Sequence, residues 1–152
     1  MDITVKPVAV IRNSRHEPVD DDWGTIQSEI HLEDYLPTDS LDGIDTHSHL
    51  EIVFYFHKVA DTEPVLGARH PRNSPAFPKV GIFAQRRYRR PNFIGCTIVR
   101  LIRREGRILI VDHLDAIDGT PVLDIKPVLK EFLPKGEIRQ PAWADEIMSK
   151  YW

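Results

Sequence analysis

The sequence predicts a mainly β fold: a small closed antiparallel β-barrel with a short C-terminal helix. Three observations carry this. Short runs rich in Ile, Val and aromatic residues recur along the chain. Turn residues separate them, notably Arg104-Glu105-Gly106 and Asp118-Gly119-Thr120. Helical spacing of apolar residues is confined to the tail. Short antiparallel strands avoid open edges by closing on themselves.

Each element follows from its residues. Val8 to Ile11 is an apolar run, read as a buried strand. Ile26 to Leu32 alternates, with Ile26, Ser28, Ile30 and Leu32 on one face and Gln27, Glu29 and His31 on the other. That is the period of a half-buried strand. Leu50 to Phe56 reads as a central strand, and Lys79 to Ala84, Ile94 to Ile102 and Ile108 to Val111 as further strands. The turn at 104–106 joins the last two as a hairpin. Prolines 64, 71, 75 and 78 make residues 61–79 a long irregular loop. In the tail, Trp143, Ile147 and Tyr151 recur every four residues after Pro141, which predicts a helix whose stripe packs on the core.

At 152 residues, with 41% hydrophobic and 28% charged, the chain fits one ordinary globular domain. No apolar run nears membrane-spanning length, and the first residues lack a secretory pattern, so no membrane association is expected. The single cysteine, Cys96, fits a reducing compartment, and a cytoplasmic location is expected.

Net charge is −3, but it is unevenly spread. Between Arg69 and Arg107 stand eleven Lys or Arg and one acid, Glu105. Between Glu17 and Glu63 stand thirteen acids and one base, Lys58. A basic strip on an acidic body suits a polyanion docking on one side; equally, the two segments could neutralise each other in the fold. The densest part is Arg86-Arg87-Tyr88-Arg89-Arg90, which pairs phosphate-binding groups with a stacking ring.

Other chemistry finds little support. His47, His49 and His57 lack the further ligands a zinc site needs, so no metal is expected. There is no phosphate-binding glycine loop and no nucleophile elbow.

Two stretches go further: VGIFAQRRYRRPNFIGCT at 80–97 and LDAIDGTPVLDIKP at 114–127. Together they resemble the signature of the TsaA-like family, also called TrmO or YaeB. Residues 43–57, GIDTHSHLEIVFYFH, and Arg69-His70-Pro71-Arg72 resemble two further blocks of it. The resemblance spans roughly residues 5 to 133. It implies a barrel domain over residues 1–135, followed by a helical tail over 136–152. It also implies an S-adenosylmethionine-dependent methyltransferase that acts, usually as a homodimer, on tRNA. The implied reaction is N6-methylation of N6-threonylcarbamoyladenosine next to the anticodon.

Carried over position by position, the implied cofactor residues are Phe56, His57, Arg86, Cys96, Asp118, Gly119, Thr120 and Pro121. Arg87, Arg89 and Arg90, with Arg72 nearby, are then expected on tRNA phosphates. No catalytic residue is assigned, and Asp118, His57 or water are the open choices for a base. The sequence departs from the family pattern where P-R-Q is replaced by the Val19-to-Gly24 stretch, and two readings of Trp23 stay open there, a ring stacked over the cofactor or an exposed loop residue. Fuller members carry a carboxy-terminal domain, so the aromatic tail becomes a candidate dimer interface. Two other readings stay open: a non-enzymatic S-adenosylmethionine- or RNA-binding barrel, and a methyltransferase with another substrate.

Overall fold

The structure is a computed structural model that describes residues 1–152. Eight strands run in chain order: β1 (Ala9–Arg12), β2 (Gln27–Leu32), β3 (His49–Tyr55), β4 (Ala68–Arg69), β5 (Val80–Gly81), β6 (Ile94–Glu105), β7 (Ile108–Asp112) and β8 (Pro121–Pro127). Six of them close a barrel in the order β1-β2-β7-β6-β3-β8, and every pairing is antiparallel. β4 and β5 form a separate two-stranded ribbon. One helix, α1 (Ala142–Met148), follows. No helix is long and apolar enough to cross a membrane.

The barrel fills itself with alternate side chains. Ile11, Ile30, Leu50, Ile52, Phe54, Val99, Leu109, Val111 and Val122 point inward and are buried. On β2 the predicted face holds: Ser28, Ile30 and Leu32 are buried. Ser28 is a polar residue in this core and is satisfied by the Asn13 side-chain amide, whose Nδ2 donates to it at 2.9 Å.

Two expectations are corrected, and one strand is new. Lys79 to Ala84 is not a full strand: after Val80–Gly81 the chain enters a 3-10 turn at Ile82–Ala84. Only Ile82 of that segment is buried, so a longer strand would have no partner. β8 falls in a stretch with no strand signal, since prolines stand at both its ends and Asp124 and Lys126 interrupt its apolar residues. The tail helix stops at Met148, and none of its residues is fully buried. Instead, Lys150 to Trp152 docks on the barrel: their backbone carbonyls at 150 and 151 accept from Asp22 and Trp23 N–H at 2.9 and 2.8 Å.

Gly95 is a packing requirement. A Cβ there would stand 2.6 Å from the Phe54 ring and 2.9 Å from the Phe56 ring. Gly95→Ala is therefore expected to cost about 1–3 kcal/mol through overpacking. Thermal unfolding should show a fall in Tm of several degrees; an unchanged Tm would mean the rings are free to move aside.

Candidate functional site

The ends of β1, β3 and β7 and the starts of β2, β6 and β8 converge on one rim, as the registers Arg12–Glu29, Tyr55–Ile94, Val10–Pro121 and Gln27–Asp112 show. The loops that leave this rim carry most of the candidate residues. Between the 83–92 segment and the start of β6 lies a cleft of about 470 Å³. Its apolar side is Phe54, Phe56, Ile94, Gly95 and Cys96, and its charged groups are Arg86, Arg87, Arg90 and Asp115. Phe54 and Phe56 pack edge to face at 5.3 Å, and Tyr88 meets Phe56 at 6.4 Å.

Of the cofactor residues expected from sequence, Phe56, Arg86 and Cys96 meet in this cleft. The Arg86 guanidinium donates to the Cys96 carbonyl at 2.5 Å, which fixes it against the β6 edge. His57 follows Phe56, and its Nε2 lies 3.9 Å from where a Cβ on Gly119 would stand. Gly119 has φ +80°, a turn conformation that glycine adopts without strain. Asp118 looks the other way. It accepts from Asn13 N–H at 3.1 Å and lies 3.5 Å from His16 Nδ1 and 3.8 Å from Arg12. Thr120 is 2% exposed, and Pro121 pairs with Val10, so both serve the barrel wall.

The arginines divide into two sets. Arg100 pairs with Asp112, Arg103 with Glu105 and Arg104 with Asp42. Arg107 is spent on Thr38 Oγ1 and the carbonyls of Glu33 and Leu36. Arg72 is held by Asp21 at 2.6 Å, which removes it from the free cations. Arg87, Arg89 and Arg90 have only neutral partners: Asn73 Oδ1, the Glu63 carbonyl and the Gln85 carbonyl. None of the three charges is compensated by a carboxylate, and Arg87 and Arg90 line the cleft.

Trp23 is not the exposed loop residue that one reading allowed; it is 4% exposed, under the Arg15 guanidinium at 4.3 Å. It packs there because the loop after β1 turns back against Tyr151. Asp115 and Tyr151 were missed. Asp115 lay inside the motif that named the family but outside its Asp-Gly-Thr-Pro core. Tyr151 was read as part of a helical stripe.

The barrel and this rim define a small β domain with a mixed aromatic and cationic ligand cleft. Comparison with known proteins says which. The tRNA-methyltransferase O N-terminal domain family matches residues 12–132, and the chain belongs to that family. A human tRNA (adenine(37)-N6)-methyltransferase is 38% identical over 105 residues, covering 69% of this chain and 23% of the relative. A "Probable S-adenosyl-L-methionine-binding protein" of Methanothermobacter thermautotrophicus is 35% identical over 136 residues, covering 86% of this chain and 93% of that one. A crystal structure of TrmO from Pseudomonas aeruginosa superposes with TM-score 0.74 at 28% identity over 94% of this chain and 62% of that chain. The chain thus spans under a quarter of the human relative and nearly all of the archaeal one.

Burial and the neighbouring Lys58 lower the His57 pKa from its usual value, so the ring is neutral at pH 7. The unfolded chain then binds the proton more readily than the folded one. Stability should fall as pH drops below about 6.5 and level off below the folded pKa. Urea unfolding of His57→Gln from pH 5 to 7.5 should show a flatter profile than the wild type; parallel profiles would refute this.

Proposed function

We propose that this chain is an S-adenosylmethionine-dependent tRNA methyltransferase that adds a methyl group to N6 of N6-threonylcarbamoyladenosine next to the anticodon. The cleft carries this reading. It sets an apolar wall of Phe54, Phe56 and Cys96 against arginines that have no carboxylate partner. The names of the human and archaeal relatives support it. Residues 1–135 are the proposed barrel domain and 136–152 its tail.

The residues present fit the cofactor. Arg87 Nη1 is buried with no hydrogen-bond partner in the protein, and the methionyl carboxylate would satisfy it. The phenyl rings suit a flat or thioether-bearing ligand. His57 and the Gly119 turn stand at the same rim, where backbone approaches closely. When bound, S-adenosylmethionine supplies a methyl group activated by a cationic sulfur. The protein's task would be to align the accepting nitrogen with that methyl group and to exclude water. Methylation would require N6 to give up a proton. The neutral His57 imidazole is a base at this rim able to take it. Arg89 and Arg90 would hold anticodon-stem phosphates, and Tyr88 offers a ring for stacking.

A homodimer fits the surface as well. Ile98 and Ile102 are exposed on the outward face of β6. Sedimentation should give twice the monomer mass, and Ile98→Asp should restore the monomer. A wild-type monomer would remove this part.

The decisive test is label transfer from methyl-tritiated S-adenosylmethionine to tRNA with and without the threonylcarbamoyl group. Label on modified tRNA alone is the expected result. Label elsewhere would mean another substrate. No label despite cofactor binding would mean a non-enzymatic binder. Arg89→Ala with Arg90→Ala should weaken tRNA binding and flatten the slope of log K against log salt by about 1.5. Unchanged binding would rule out the arginine run as the RNA surface.

A further inference from the structure

Asp115 is the one acid in a cleft otherwise lined by cations and apolar groups. It stands in the loop between β7 and β8 and lines the same cleft as Phe56 and Cys96. The buried Thr97 hydroxyl donates to Oδ1, and the Tyr151 hydroxyl donates to Oδ2. Arg86 acts electrostatically on the Tyr151 phenol but is committed to the Cys96 carbonyl, and Asp115 makes no ion pair.

This arrangement is unusual in what it leaves undone. A partly buried carboxylate normally finds a cation, because desolvation of a lone charge is costly. Here two neutral hydroxyls orient the group without cancelling its charge. An ionised carboxylate offers about four lone-pair sites, so two remain open. The half-buried Phe56 ring lines the same cleft, and an aromatic face attracts cations. The site is therefore built to accept positive charge on one side and, at Arg86 and Arg87, negative charge on the other.

We propose that Asp115 recognises the cationic end of the methyl donor, its sulfonium or ammonium group, and that Tyr151 is the positioning residue that aims the carboxylate. The inference rests on the S-adenosylmethionine reading above. Tyr151 reaches Asp115 because the 150–152 segment is clamped to the barrel. Its backbone pairs with Asp22 and Trp23, and the Trp152 backbone lies against Gly24, where a Cβ would stand 2.7 Å from it. Burial and the adjacent carboxylate push the phenol's pKa up, so it stays protonated and donating.

Calorimetric titration of the full chain with three ligands tests this. S-adenosylmethionine carries both positive groups, S-adenosylhomocysteine only the ammonium, and methylthioadenosine neither. Asp115→Asn should lower S-adenosylmethionine affinity at least about tenfold while methylthioadenosine binding stays within about twofold. If S-adenosylhomocysteine is spared, the carboxylate faces the sulfonium; if it weakens in step, the ammonium. Tyr151→Phe should reduce the same charged-to-neutral ratio by a smaller factor. An Asp115→Asn variant that weakens all three ligands equally, or none, would overturn the proposal. A Tyr151→Phe variant with an unchanged ratio would overturn the positioning role. Failure of the wild type to bind S-adenosylmethionine would instead reject the function itself.

Discussion

The seam between β1 and β8 is the constraint on which the molecule depends. Only Ala9 and Val10 pair in register with β8, so the barrel closes over a two-residue contact. Further bonds at the rim complete it. Ile11 N–H donates to the Thr120 carbonyl, Gly119 N–H to the Ile11 carbonyl, and Asn13 bridges Asp118, Ala116 and Ser28. Backbone groups left open at such a seam would each carry a desolvation cost. The Asp-Gly-Thr turn is therefore structural before it is anything else. It also fixes where the loop from Asp112 to Pro121 lies, and that loop brings Asp115 to the cleft and Gly119 to His57.

The same rim separates two kinds of charge. The hairpin β6–β7 carries arginines that meet carboxylates or carbonyls at short range, so they hold the surface together and have little attraction left for distant phosphates. The 86–90 run spends its donors on neutral oxygens. A carbonyl orients a guanidinium without neutralising it, so the field of this segment extends outward. A basic strip that looks continuous in sequence is thus two strips in space.

Much of the fold was legible because burial on one face leaves a period in the chain. β2, β3, β6 and β7 were recognisable for that reason, and the Gly106 turn links the last two. β8 was not, because its neighbours on both sides supply its hydrogen bonds while Asp124 and Lys126 satisfy each other across its outer face. Pairing partners, not its own composition, make it a strand. Part of the cleft lining was legible: Arg86 and Cys96 lie in one sequence block and Phe56 in another, and all three line one cleft. The contacts made by the distant tail were not. No local pattern tells that Tyr151 will reach Asp115 across 36 positions, or that Trp23 will be buried by the same tail.

That long-range meeting bears on how the site keeps its shape. A carboxylate held by one hydroxyl can still swing about its side-chain torsions; a second donor from a different segment removes that freedom. Thr97 belongs to the barrel wall, and Tyr151 belongs to a strap that crosses the rim. The strap is itself secured by two backbone bonds and by Trp152 packing at 5.5 Å from His113. The geometry of the cleft is thereby tied to the folding of the tail. A barrel alone would present the aromatic wall and the arginines. Only with the strap in place is the single negative charge of the cleft fixed opposite them.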